Sequence, residues 1–108
     1  MTTLDFNLVS IIKNAGGDPG DVTEAVWDAG YQRMNFTTEE IIQMTTSQIA
    51  DCVYYGVPQN VWPKTVEDLS YGNLNAIIDD AMWLGTPAGV AAAILKNGYV
   101  KGGGKCSQ

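Results

Sequence analysis

The sequence predicts an all-α fold: a compact bundle of five to seven short helices, made of two or three helical hairpins and followed by a flexible C-terminal tail. Three observations predict it. Apolar residues recur at helical spacing in successive segments, the stripes stop at glycines, and one phrase of the chain occurs twice. "DPGDVTEAVWDAGY" (18–31) and "TPAGVAAAILKNGY" (86–99) both place proline second, share Val and Ala at matching offsets, and close on Gly-Tyr. The likeness extends upstream, where "NLVSIIKNA" (7–15) reads against "NLNAIIDDA" (73–81). Two helices and the turn between them recur, so the outer segments read as a duplicated helical hairpin, each copy closing the apolar face of the other.

The elements follow in order. Leu8, Ile11, Ile12 and Ala15 form the first stripe, and Gly16-Gly17 ends it. Asp18 suits an N-cap and Pro19 the first helical position, where a missing N–H costs nothing. Val22, Ala25, Val26 and Ala29 make the second stripe, with Gly30 as the left-handed stop. Thr37 and Glu40 have capping-box spacing before Ile41 and Ile42. Thr45-Thr46-Ser47 offers a break and a new cap before Ile49, Cys52 and Val53, which makes 37–56 a worn or convergent third copy of the hairpin. "GVPQNVWPK" (56–64) reads as an ordered loop. Thr65 and Asp68, at capping spacing, predict a helical turn ahead of the third unit. Leu74, Ile77, Ile78 and Ala81 then lead to Gly85, and Thr86-Pro87 opens a last helix carrying Val90, Ala91, Ile94 and Leu95. The expected organisation is one domain, residues 1–100, with hairpin units at about 4–31, 37–56 and 70–99. Residues 101–108 are expected as a flexible tail, because consecutive glycines are costly to order.

Bulk properties narrow the function. At 108 residues the chain suits a single domain able to bury a core without staples. Its longest uncharged stretch, Ala81 to Leu95, is broken by Gly85, Thr86 and Pro87, and no apolar run reaches the ~18 residues that a bilayer requires. The start, "MTTLDFNLV", lacks a basic region followed by an apolar block, so a cytoplasmic protein is expected. Cys52 and Cys106 read as reduced thiols, Cys52 packing as a small hydrophobe. The net charge of −6 is uneven: all twelve acids precede residue 81, giving −9 over residues 1–80 and +3 beyond. Such an acidic body repels phosphate backbones and argues against general nucleic-acid affinity.

The segment "AMWLGTPAGVAAAILKNG" (81–98) resembles a helix-turn-helix DNA-binding motif, with Ala81, Leu84, Gly85 and Ile94 at fitting positions and Val90 one place early. The resemblance implies a reading helix at 87–96. That helix supplies Pro, Ala, Gly, Val, Ile and Leu, with only Lys96 and Asn97 able to donate to bases or phosphates.

No enzyme is expected. The chain has no histidine, no phosphate-binding glycine loop and no calcium-loop spacing in "DPGDVTE", and no cofactor or metal is implied. The acidic pairs Glu39-Glu40 and Asp79-Asp80 point about 100° apart on a helix, and they read as first-turn charge and solvated face. What remains is a surface. In helical projection Trp27 and Trp83 lie nearly opposite the apolar stripes of their own helices. Either a second layer covers them or they are exposed anchors of the kind found at binding hot spots. Beside Trp27 runs an acidic face of Asp21, Glu24 and Asp28. The leading expectation is therefore a non-enzymatic protein-binding module, an acidic inhibitor or adaptor, that docks on a basic partner through Asp21, Glu24, Trp27, Asp28 and Trp83. Phage-encoded inhibitors are one setting in which such proteins occur. The alternatives are a self-assembling structural subunit, or homo-oligomer, and the helix-turn-helix-like DNA-binding protein.

Overall fold

Five polar residues open five helices. Asp5, Asp18, Thr37, Thr65 and Thr86 each accept, through a side-chain oxygen, the backbone N–H of the residue three positions on. Each such cap contributes about 1 kcal/mol by satisfying a donor that the helix cannot. The computed structural model describes residues 5–83 and 85–102. Its elements are α1 (Phe6–Ala15), α2 (Pro19–Asp28), β1 (Tyr31–Gln32), α3 (Thr38–Tyr54), a 3-10 turn (Gln59–Val61), α4 (Val66–Met82), α5 (Pro87–Lys96) and β2 (Val100–Lys101). The fold is all-α, a bundle of five helices among the described residues, with one two-residue antiparallel bridge.

The repeated phrase marks two matching halves. Leu8 and Leu74, Ile12 and Ile78, Val22 and Val90, Val26 and Ile94, and Tyr31 and Tyr99 occupy equivalent positions, and all ten side chains are buried in one core. The hairpins interlock: α2 packs on α4 and α1 packs on α5, besides the pairing within each hairpin. Exchanging the halves exchanges these contacts, as a local two-fold relation requires. The bridge obeys it too, because Gln32 pairs with Val100 and each directly follows the repeated tyrosine.

Both tyrosines are held in the same way. Asn7 Nδ2 donates to Tyr31 Oη at 3.2 Å, and that hydroxyl donates to Asp5 Oδ2 at 2.9 Å. Asn73, the equivalent of Asn7, donates to Tyr99 Oη at 2.9 Å, and that hydroxyl donates to the Ser70 carbonyl at 2.9 Å. The preceding glycines, Gly30 and Gly98, have φ of 99° and 89°, so they reverse the chain where an L side chain would strain it.

Three expectations need correction. First, α3 is one unbroken helix, so 37–56 is not a third hairpin. Thr45 Oγ1 donates to the Ile41 carbonyl at 2.7 Å, and a hydroxyl satisfied this way stays within a helix instead of capping a new one. Second, the turn expected at Thr65 is the first turn of α4, which runs on to Met82. Third, ordered chain extends past residue 100: Val100–Lys101 pairs with β1, and the Gly102 N–H donates to the Gly30 carbonyl at 2.8 Å. The rest of the expected tail, Cys106 included, lies outside the described residues, while Cys52 is a half-buried free thiol.

Outside the two-fold pair lies α3, which packs on α4. Gly72 makes that approach close: a Cβ there would run into the Gln48 side chain, whose amide donates to the Leu69 carbonyl. At the other end Arg33 ties three segments together. It donates to both Glu40 carboxylate oxygens at 3.0 and 3.1 Å and to the Asn97 carbonyl at 3.2 Å, and it lies 4.3 Å over the Phe36 ring.

The backbone N–H of Thr37, and then Arg33, hold the Glu40 carboxyl below its usual range. A depressed carboxylate contributes stability that is complete above the ordinary glutamate pKa and is lost as pH falls through the lower folded value. In urea titrations from pH 7 to 2, Glu40→Gln is expected to flatten that acid limb. Tyr99→Phe is expected to cost about 1–3 kcal/mol, since it removes the hydroxyl that donates to the carbonyl of buried Ser70. Tyr31→Phe is expected to cost less, because Asn7 is exposed and Asp5 half-exposed, so both can turn to water.

Candidate functional site

Twelve carboxylates are easier to interpret once their structural work is accounted for. Asp5 and Asp18 cap helices, Glu40 completes a capping box, and Asp68 accepts the Lys64 N–H. Asp21, Glu39 and Glu67 lie in first turns, where the helix dipole favours negative charge. Glu24, Asp28, Asp51, Asp79 and Asp80 remain, all exposed. Among the described residues the one ion pair is Arg33–Glu40, so none of these five meets a base. Four of them stand in the last turn of α2, α3 or α4, where the dipole opposes them at about 0.3–1 kcal/mol each. By contrast, α1 and α5 carry Lys13 and Lys96 there. Of the two readings given to the acidic pairs, first-turn charge holds for Glu39-Glu40 and solvated face for Asp79-Asp80, which are exposed in the last turn of α4.

These acids gather around the outer side of α4. Asn75, Ala76, Asp79, Asp80 and Trp83 are exposed along its C-terminal half. On one flank lies α2: Thr23 Oγ1 donates to Asn75 Oδ1 at 2.9 Å, while Glu24 and Asp28 act on Tyr71. Burial, and then those two charges, push the Tyr71 hydroxyl pKa up. On the other flank α3 supplies Asp51, and its C-cap Tyr55 follows. With Gln48, Asn73, Asn75 and Asp79 they line a groove of about 390 Å³. Asp79 also lines a shallower cleft of about 310 Å³ beside Pro19, Met82 and Trp83. One carboxylate is thus shared between a polar groove and the cleft that Trp83 borders.

The expected site residues fare differently. Asp21, Glu24 and Asp28 are exposed on α2 as expected. Trp83, at the C-cap of α4, is 80% exposed. Trp27 is only 9% exposed, so its place as an exposed anchor is corrected: a second layer covers it. That layer is α4, whose Tyr71 ring meets the indole edge-on with centroids 5.3 Å apart. A helical projection finds the side away from one stripe, but it does not show that a second neighbour occupies that side. Asp51, Tyr55, Asp79 and Asp80 were not expected at a site. For Asp79 and Asp80 a signal was present in the sequence, since they come in the last stretch before a helix stop, where bases are the rule.

In the stretch resembling a helix-turn-helix, Leu84 lies outside the described residues. The exposed positions of α5 include Pro87, Gly89, Ala92 and Lys96, and of these four Lys96 alone carries a side-chain donor.

Because Asp28 and Asp80 oppose helix dipoles and meet no base among the described residues, Asp28→Asn and Asp80→Asn are each expected to stabilise the protein by about 0.3–1 kcal/mol in thermal melts at low salt. A loss of stability would assign these carboxylates a structural role. No protein-family model, curated protein or solved structure matches this chain, so a functional reading rests on its own geometry and chemistry.

Proposed function

We propose that this protein is a non-enzymatic protein-binding module, an acidic inhibitor or adaptor that receives a basic partner along the outer side of α4. The observation that carries the reading is the conjunction at the end of that helix. Trp83 is 80% exposed and stands beside Asp79 and Asp80, two carboxylates that the fold does not use and that the helix dipole disfavours. A large exposed indole is costly to leave in water and is a frequent binding anchor. Acids around it that pair with no base among the described residues steer a positively charged partner and select against acidic ones. Asp21, Glu24 and Asp28 extend the negative field across α2. Trp27 contributes from beneath, by fixing Tyr71 against α2.

The test is affinity capture followed by variant comparison. Partners retained on the immobilised protein at low salt are expected to be basic. They are expected to fall at least tenfold in recovery with the double variant Trp83→Ala, Asp80→Lys, and to be released by salt, as screened charge pairs are. Recovery is expected to be unchanged with Phe6→Ala, a control at an exposed residue on α1. Equal recovery by both variants would remove the α4 face from consideration.

A further inference from the structure

The two halves can be compared position by position. As Leu8 and Ile12 answer to Leu74 and Ile78, so Lys13, Gly16 and Gly17 answer to Asp79, Met82 and Trp83. Pro19, which opens α2, answers to Pro87, which opens α5. Two clefts are related in the same way. One, of about 150 Å³, lies where the end of α1 meets the start of α5, and Lys13, Gly16 and Pro87 are among its walls. The other, of about 310 Å³, lies where the end of α4 meets the start of α2, and is lined by Gly17, Pro19, Asp79, Met82 and Trp83.

The backbone makes both clefts, but the side chains differ. Lys13 ends α1 with the charge that the helix dipole favours, whereas Asp79 puts the opposed charge at the same place in α4. Gly17 answers to an indole that is 80% exposed. One half of the fold closes with Lys13 and Gly17, so the cleft does not need Asp79 or Trp83 to form. Trp83 keeps helical dihedrals, with φ −58° and ψ −42°. Asp79 stands four residues earlier, which makes the two neighbours on one side of the helix, about 5–6 Å apart at Cβ. A flat aromatic face thus stands beside a carboxylate that meets no base among the described residues, and half-buried Met82 and Pro19 line the same cleft.

Arginine is the side chain whose shape matches this pairing. Its guanidinium is flat and weakly hydrated, stacks on aromatic faces, and donates two N–H groups at once to a carboxylate. A lysine ammonium has neither the flat face nor the fork. We infer that the cleft between α4 and α2 seats an arginine side chain of the basic partner. The guanidinium lies on the Trp83 indole and donates to Asp79, while the methylene stem runs over Met82 and Pro19. This inference rests on the basic-partner reading and names the residue that the partner presents. A second copy of this chain is not the occupant, because its one arginine, Arg33, is bound to Glu40 and the Asn97 carbonyl.

Hexa-arginine and hexa-lysine peptides, equal in charge, test it when titrated into the ¹⁵N-labelled full chain at low salt. The readout is the indole N–H signal of Trp83, assigned by its loss in Trp83→Phe. Hexa-arginine is expected to bind about fivefold tighter than hexa-lysine and to move the Trp83 signal while those of Trp27 and Trp62 stay in place. Asp79→Asn is expected to bring the two peptides within about twofold of each other. The double variant Asp79→Lys, Trp83→Gly, which gives α4 the residues of α1, is expected to lose the preference and still melt cooperatively. Glu67→Gln, at the exposed first turn of α4, is expected to weaken both peptides alike and keep the preference. Equal affinity for the two peptides, a Trp83 signal that stays still while hexa-arginine binds, or a preference that survives Asp79→Asn would each overturn the arginine seat and leave the basic-partner reading standing. Binding of neither peptide would remove both.

Discussion

Two buried tyrosines at the meeting point of two helical hairpins set the geometry on which the rest of this protein depends. Tyr31 and Tyr99 each follow a glycine with positive φ, enter the shared core, and bond through the hydroxyl to an asparagine near or within the first helix of the same half. A buried ring with a satisfied hydroxyl combines a large apolar contribution with a directional constraint. It fixes where each hairpin's last helix ends relative to its first. The chain just beyond the tyrosines forms the bridge between β1 and β2, so the halves are registered by hydrogen bonds as well as by packing. Since α2 rests on α4 and α1 on α5, neither hairpin has a complete core alone.

Departures from this internal symmetry locate the surfaces that are free for other work. Where the second half has Ala91 and Leu95, the first has Thr23 and Trp27, which bond to Asn75 and pack on Tyr71. These asymmetric contacts hold α4 along the flank that meets α2. Its outer side is then a rigid support for Asp79, Asp80 and Trp83, and rigid placement of an anchor lowers the entropy lost on binding. The inserted α3 adds the second wall of the groove at Asp51 and Tyr55.

Much of this arrangement was legible in the sequence, and the parts that were not have specific physical causes. Helix starts were readable because caps are local chemistry: Asp18, Thr37 and Thr86 each need only the next few backbone amides. The paired halves were readable because Leu8 and Leu74, or Val26 and Ile94, repeat in both order and spacing. The continuity of α3 was not, because Thr45 is compatible with either a cap or an interior turn, and the choice is made by a hydroxyl bonding back to Ile41. Nor was the burial of Trp27, since it depends on which helix arrives from a distant part of the chain to bring Tyr71 against it. The acids around α4 were visible as letters but were read by face alone. Their positions within the helices, at ends that disfavour them, carried the sharper information.

The central claim is that the two hairpins form one interlocked unit, with α3 attached to it. Native-state hydrogen exchange, followed residue by residue against urea, tests this most directly. The account predicts that core amides of α1, α2, α4 and α5, such as those of Ile12, Val26, Ile78 and Ile94, open with one common free energy equal to that of global unfolding. Amides of α3 would open at a lower one. Two distinct opening free energies, one for each hairpin, would contradict it.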